Sequence, residues 1–309
     1  MKSLKKILIS ILVVILILAS AALASYPFIS NYLMSLNQSS EVSSYNKAME
    51  NKSEDEFEKI RKEAQEYNKT LFGSVVLTDP FDPTASNISD TEYDSQLNFG
   101  EGTAMATIEI PAISLNLPIY HGTSDEVLQK GAGHLQKTSL PVGGKGTHAV
   151  ITGHTGLSTA SLFTDINLLK EGDLILIHCL DETLAYEVDQ IKVVEPTNTE
   201  DLRIDPEQDY VTLVTCTPYG INSHRLLVRG TRVPYVEEKV KSIETRVEDS
   251  TWMKEYKRAI VIGLAVFIFI VLTYIVVMMI MRRRRKKENK KNLVPKKESS
   301  NNEEKEKDS

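Results

Sequence analysis

The chain has 309 residues, 41% of them hydrophobic and 25% charged, with two cysteines and a formal net charge of −6. This balance excludes a wholly disordered chain, a collagen-like repeat, a disulfide-rich scaffold and a four-cysteine zinc site. The average charge hides an asymmetry. Residues 1–24 carry three lysines and no acid, and residues 282–309 carry 12 cations against 6 anions. The intervening stretch holds 21 cations and 36 anions, a net −15, which argues against nucleic-acid binding.

Two uncharged runs lie at the ends. Ile7–Ala24 follows Lys2, Lys5 and Lys6, and Ala259–Met281 precedes Arg282-Arg283-Arg284-Arg285-Lys286-Lys287. At about 1.5 Å per residue each is long enough to cross, or nearly cross, a bilayer core of roughly 30 Å. Basic residues stay cytoplasmic, so both termini are expected inside and residues 25–258 outside. Ala22-Leu23-Ala24 also fits a signal-peptidase site, which leaves a removable signal peptide as the alternative to an uncleaved anchor. The Lys/Glu/Asn/Ser-rich tail from Glu288 is expected to be disordered.

Between the spans the pattern changes twice. Ser53-Glu54-Asp55-Glu56 is a capping box, and Phe57, Ile60, Ala64, Tyr67 and Leu71 recur at helical spacing, predicting a helix over 54–72. A further helix is expected within 40–51. Residues 78–101 hold two prolines and many Asp, Ser, Thr and Asn, and are read as a long loop of the kind that serves as a lid or linker. From Thr103 the chain is β-rich. Strands are expected at Met105–Ile110, Ile113–Tyr120, Ala149–Thr152, Leu174–Cys179, Thr183–Val194, Tyr210–Thr215 and Arg225–Val233. Brief helices are expected at Ser124–Gln129 and Ser161–Leu169. Seven or eight short strands in this space suggest a closed barrel or a sandwich.

Three residues at strand ends can carry chemistry. His154 follows Val150-Ile151-Thr152-Gly153, Cys216 ends Val211-Thr212-Leu213-Val214-Thr215, and Arg225 opens Leu226-Leu227-Val228. Cys216 and Arg225 face each other across an eight-residue hairpin loop. A thiol beside a cation can form a nucleophilic thiolate, a His can protonate a leaving amine, and a guanidinium can hold a carbonyl oxygen as charge develops on it. Spacing alone also allows a core Cys and a surface Arg. Cys179, on an Ile/Leu strand, reads as a small buried residue, and an external location leaves a Cys179–Cys216 disulfide open. His121, His134 and His148 lack ligand spacing, so no metal is expected.

The local sequences narrow the choice. Thr212-Leu213-Val214-Thr215-Cys216 followed by Asn222-Ser223-His224-Arg225 resembles the sortase signature T-L-x-T-C…R, and Thr152-Gly153-His154 resembles its histidine segment. The resemblance covers roughly residues 103–233. The form of the Cys216–Arg225 loop, the second C-terminal span, and Asp79-Pro80-Phe81, which resembles a D-P-F/W lid motif, are similar to class C, pilus-assembling sortases.

The resemblance implies a mainly β fold: a closed sortase-type barrel of about eight strands, an N-terminal helical region with a lid loop, and two flanking transmembrane helices. It implies a membrane anchor over 1–24, a helical region over 25–77, a lid over 78–101, a catalytic barrel over 102–235, a linker over 236–258, a second span over 259–281 and a basic tail over 282–309. Cys216 would be the nucleophile, His154 the general acid/base and Arg225 the substrate or oxyanion clamp. Asp79, Pro80 and Phe81 would form a lid, Asp79 on Arg225 and Phe81 over the sulfur. Thr215 and His224 are possible supports. Implied partners are pilins or surface proteins with C-terminal sorting signals, an acceptor pilin Lys amine and the lipid bilayer, with no cofactor and no nucleic acid. The rivals are attachment to a peptidoglycan amine, hydrolysis, and a non-catalytic tethered binding domain.

Overall fold

The computed structural model describes residues 2–71, 78–82, 90–100, 103–157, 159–243, 245 and 250–293. The chain divides into two units, Met1–Lys254 and Glu255–Ser309.

Helix α1 runs unbroken from Lys2 to Glu50, with Pro27 inside it. The expected anchor and the expected 40–51 helix are therefore parts of one 49-residue helix. Pro27 and the Ser/Asn-rich stretch after it are weak helix signals. What bridges them is a stripe of residues turned to the domain: Met34 packs on the core, and Val42, Tyr45 and Met49 are buried. Helix α2 (Glu54–Thr70) starts with the expected capping box, the Ser53 side chain accepting from Glu56 N–H while Glu56 accepts from Ser53 N–H. Its apolar face buries Phe57, Ala64 and Tyr67.

The loop expected over 78–101 contains a short helix α3 (Thr91–Ser95), capped by the Asp90 carboxylate. Tyr93 anchors it, 2% exposed. Its hydroxyl lies 2.9 Å from His134 Nδ1 and accepts from Gly122 N–H. His134 Nε2 sits 2.8 Å from the Ser139 carbonyl oxygen, so it donates there and leaves Nδ1 to accept from Tyr93. Burial lowers the His134 pKa to about 4, which keeps it neutral.

Eight strands among the described residues close into a barrel: β1 (Ala106–Ile110), β2 (Leu115–His121), β3 (Ala132–His134), β4 (Thr147–Thr152), β5 (Leu174–Cys179), β6 (Glu182–Val194), β7 (Asp209–Thr217) and β8 (His224–Val233). The order around the barrel is β1-β2-β3-β4-β7-β8-β6-β5. The β2–β3 and β4–β7 pairs are parallel and the others antiparallel. The seven expected strands all form, and β3 is the eighth. The β6–β8 register slips between Val188 and Gln190; Asp189 at the slip takes a bidentate bond from Arg229 (3.0 and 2.9 Å). Ile108, Ile110, Leu117, Ile119, Ile151, Ile175, Ile177, Val211, Leu213 and Val228 belong to the main core. α1 packs across β2, so Pro118 and Tyr120 are buried as well as the inward residues.

Helix α4 (Asp125–Lys130) forms where expected, with the Ser124 side chain accepting from Val127 N–H. The helix expected at Ser161–Leu169 does not form. The segment makes turns and one 3₁₀ turn, Ile166–Leu168. Leu162 takes a left-handed φ of 39°, and Phe163 N–H and the Asp165 carboxylate bond to His154 and Thr251, partners outside the segment. Within the expected linker, α5 (Glu237–Lys241) is helical. Helix α6 (Thr251–Leu293) starts before the apolar run and continues through the basic cluster into the tail expected to be disordered. The reading of 294–309 lies outside the described residues. Both α1 and α6 contain segments long and apolar enough to cross a membrane.

Asn68 shows how α2 is fixed to the barrel. Its side chain accepts from Leu140 N–H (2.7 Å) and donates to Leu140 O (3.2 Å), at 5% exposure. Asn68→Leu deletes two buried bonds and leaves a backbone N–H and C=O unsatisfied. Urea unfolding is expected to show a loss of about 2–4 kcal/mol; a loss below about 1 kcal/mol would mean that this docking is not made in solution.

Candidate active site

Strand pairing assembles the three chemical residues from distant segments. β7 and β8 pair with Cys216 opposite Arg225, as the hairpin reading expects. β4 runs parallel to β7 with Thr152 opposite Val214. Gly153 N–H donates to Val214 O (3.1 Å), and the Thr215 hydroxyl donates to Gly153 O (2.6 Å). Continuing this register by two residues brings His154 level with Cys216.

Gly153 is required there. A Cβ at this position would lie 2.5 Å from Phe163 Cγ, and Phe163 is fully buried. Phe163 N–H in turn donates to His154 O (3.0 Å), fastening the turn that carries the imidazole. Neither interaction is legible in the sequence, because Phe163 reads as one apolar residue in an expected helix. Asp125, the first residue of α4, is the acidic group whose field acts on His154, and it too carries no local sign of that role.

The Asp79-Pro80-Phe81 segment lies on this site. Asp82 N–H donates to Asp79 O (3.0 Å) and Phe81 N–H to the Asp79 carboxylate (3.3 Å), a turn with Pro in its second position. Arg225 grips Asp79 bidentately, Nε to Oδ1 at 2.8 Å and Nη2 to Oδ2 at 2.5 Å. Its Nη1 donates to Asn222 O (3.1 Å) and His224 O (3.0 Å). The two side chains are 11% and 16% exposed, so this pair is well shielded from water. The Phe81 ring stands 5.0 Å from Arg225 Cζ and 5.7 Å from the His154 ring. Its ring partners are thus the guanidinium and the imidazole. It also packs against a small cluster formed by Leu135, Val150, Leu202, Val214 and Leu227.

The other expected residues fall in different places. Thr215 supports Gly153, as above. The His224 side chain turns to Ser223 Oγ (2.8 Å) and Glu195 (3.2 Å) on the surface. Both cysteines are free, so the alternative Cys179–Cys216 disulfide is not formed. Cys179 is buried, and that burial pushes its thiol up to about 12. His148 is an internal residue bonded to Arg203 O and Thr212 Oγ1 (2.8 and 2.7 Å).

The electrostatics favour uncharged partners in this state. Burial raises the Cys216 pKa most; Arg225 pulls it down and Asp79 pushes it back up. Burial lowers the His154 pKa, against the opposing field of Asp125. With Asp79 in place the pair therefore rests as thiol and neutral imidazole at neutral pH. Exposing Arg225 and Cys216 together gives a nucleophile beside a cation, the arrangement that acyl transfer needs.

Residues 108–233 match the sortase domain family. Among solved structures, the chain is similar to sortase C-1 from Streptococcus pneumoniae, at 50% identity and a TM-score of 0.60, over 64% of this chain and all of that one. It is also similar to the pilus-related sortase C of Group B Streptococcus, at 46% identity and a TM-score of 0.57, over 62% of this chain and 96% of that one. A sortase A from Bacillus anthracis is 28% identical over 72% of this chain and 92% of its own length.

The lid geometry has a measurable consequence. Asp79→Ala/Phe81→Ala removes the carboxylate that raises the Cys216 pKa, frees Arg225, which lowers it, and reduces burial. All three changes act in one direction. In a Cys179→Ala background, the pH midpoint of Cys216 alkylation should move down, and labelling at neutral pH should rise by up to about tenfold. Equal rates and midpoints would show that Asp79 and Phe81 do not cover the site in solution.

Proposed function

The chain belongs to the sortase family and is a cysteine transpeptidase, and we propose that it polymerises pilins at the outer face of the membrane. The observation that carries this reading is the Cys216–Arg225 cross-strand pair, next to the end of β4 that leads into His154, with Asp79 on Arg225. The similar solved proteins, one of them a pilus-related sortase C, support the choice of substrate.

In this mechanism the thiol of Cys216 passes its proton to the neutral His154 imidazole and attacks the Thr–Gly carbonyl of an LPXTG-like sorting signal. Arg225, released by Asp79, holds the substrate carbonyl or the developing oxyanion through its planar fork. The tetrahedral intermediate collapses by breaking the C–N bond. His154 gives a proton to the departing glycine amine, and an acyl-thioester remains on Cys216. A Lys amine of the next pilin attacks this thioester, passes a proton to His154, and displaces the thiolate to give an isopeptide bond. Water in place of the amine gives hydrolysis, the side reaction. Attachment to a peptidoglycan amine differs only in the acceptor, and the lid motif Asp79-Pro80-Phe81 together with the second apolar helix favours pilins.

The test uses the full chain in detergent with a sorting peptide and, separately, a pilin Lys peptide or a peptidoglycan amine as acceptor. Mass spectrometry should find the acyl group on Cys216 and faster turnover with the Lys acceptor. Turnover with the peptidoglycan amine alone would make this a wall-attaching enzyme. Cys216→Ala should abolish transfer, and His154→Ala should cost at least about 10²-fold. Arg225→Lys keeps the charge but loses the fork, and should also be severely impaired. Cys179→Ala should stay active, because that thiol is buried in the core. A dead Cys179→Ala beside an active Cys216→Ala would overturn the assignment.

We also propose the two-span orientation, with both termini cytoplasmic and the barrel outside, on the strength of the basic flanks. Protease added to wall-stripped cells should digest the barrel and spare an epitope at the C-terminus. Loss of that epitope from intact cells would refute the orientation.

A further inference from the structure

The outer face of α1 stays apolar well past the Ile7–Ala24 run. No charged residue occurs between Lys6 and Glu41. Tyr26, Ile29, Tyr32, Leu33 and Leu36 are 49–63% exposed and recur at three- and four-residue spacing, which puts them on one side of the helix. Past Leu36 the exposed positions become polar: Asn37, Ser39, Ser40, Glu41 and Ser44. The opposite side meets the domain in order along the axis. Asn31 accepts from Ser161 N–H (2.9 Å), Gln38 donates to Lys130 O (3.3 Å), and the Tyr45 hydroxyl accepts from Leu180 N–H (2.8 Å). Between Asn31 and Leu36, therefore, one side of α1 already touches the barrel unit while the other still presents apolar surface.

The apolar surface implies a position for the domain. From Ile7 to Leu36 is 30 residues, about 45 Å of helix. A bilayer measures about 40–45 Å when its headgroup layers are included. Tyr residues are favoured in that interfacial layer because they have an apolar body and a polar tip. We propose that the Tyr26–Leu36 stripe lies in the headgroup layer, and that the segment after His154 is thereby held at headgroup height. Ser161 sits on Asn31 inside the stripe, and Phe163, two residues on, bonds His154 O. The first turn of α6 reinforces the level: Thr251 N–H donates to Asp165 (2.8 Å), and Trp252 meets Phe28 edge-on at 5.5 Å. Leu180, at the level of Tyr45, lies 14 residues, or about 21 Å, farther along the axis. The turn that carries His154 is thereby nearer the membrane than Leu180 is. It is placed to take a polypeptide within the first turns after that chain leaves the bilayer.

The inference rests on the membrane-anchored reading above, and its test separates the two. Nitroxides are placed singly at Ile29, Leu33, Leu36 and, as a reference, Ser44 in a Cys179→Ala/Cys216→Ala chain, in vesicles of phosphatidylcholine and phosphatidylglycerol. At the first three sites oxygen should relax the label more than a water-soluble nickel chelate does, with the order reversed at Ser44. Nickel access at Leu33 equal to that at Ser44 would overturn the proposal. So would protection that vanishes as lipid is added at fixed protein, since a second copy would then be the cover. In a second arm, Ile29→Gln/Leu33→Gln/Leu36→Gln with Cys216 intact is assayed on a sorting peptide free in solution and on the same peptide joined to an apolar helix in the same vesicles. The free peptide should be cut within about twofold of the unsubstituted rate, and the anchored one at least fivefold more slowly. Equal effects on both would refute the height assignment. Failure of the unsubstituted chain to cut either peptide would refute the sortase chemistry instead.

Discussion

The parallel pairing of β4 with β7 is the constraint on which the site depends. Cys216 and Arg225 belong to one hairpin and meet through local pairing, but His154 is 62 residues from Cys216 in sequence. The register Thr147–Thr152 against Asp209–Val214, continued by two residues, brings the two level. A one-residue slip would turn His154 to the other side and expose the inward residues of β4. The register is held where it matters most, at the top of the pair, by Gly153 N–H on Val214 O and the Thr215 hydroxyl on Gly153 O. The buried Phe163 ring then fills the space that a side chain at 153 would need. Thr215 is thus a residue of the signature whose work is done one layer beneath the chemistry.

On this frame the Asp79–Arg225 contact bears on the charge state of the site. Arg225 uses four of its N–H groups in the closed arrangement, two on Asp79 and two on loop carbonyls. Asn222 can offer its carbonyl because it adopts a left-handed φ of 60°, a conformation Asn tolerates better than most residues. With Asp79 paired to the guanidinium and both groups partly buried, the Cys216 pKa is raised and the His154 pKa lowered, which favours their neutral forms. Access and reactivity are therefore linked through one residue. In the proposed mechanism, release of Asp79 from Arg225 returns to the thiol the cation that favours its ionised form.

Much of this is legible in the sequence, for identifiable reasons. Seven strands are visible because alternating apolar residues and Gly-containing turns bound them. β3 is not, because three residues, Ala132-Gly133-His134, carry no periodicity and gain their order from β2 and β4. Cys216, Arg225 and Asp79 can be joined through motifs, and the structure brings them together. The helix expected at Ser161–Leu169 fails because apolar spacing cannot reveal a left-handed Leu162 or backbone groups already bonded to His154 and Thr251. The continuity of α1 is hidden for the opposite reason. Its local sequence around Pro27 is a poor helix signal, and hydrogen bonds that join Asn31, Gln38 and Tyr45 with segments more than 90 residues away supply what the propensity lacks.

The way Asp79 and Phe81 are held constrains how a substrate could displace them in the proposed mechanism. A substrate carbonyl competing with Asp79 for Arg225 is at a disadvantage, because hydrogen bonds between two charged groups are about twice as strong as those with a neutral acceptor. The deficit must be recovered elsewhere in the site. Phe81 marks where. Its ring stands over Arg225 and packs on the apolar cluster of Leu135, Val150, Leu202, Val214 and Leu227. A ligand that carries an apolar side chain onto this cluster takes over the packing that Phe81 provides in the closed state, while its backbone carbonyl takes the guanidinium. A peptide lacking that side chain would have to displace a carboxylate and leave apolar surface in water. In the proposed mechanism, selection for a sorting signal would therefore be applied at opening, before any bond is made, because one ligand must replace both Asp79 on Arg225 and Phe81 on the cluster.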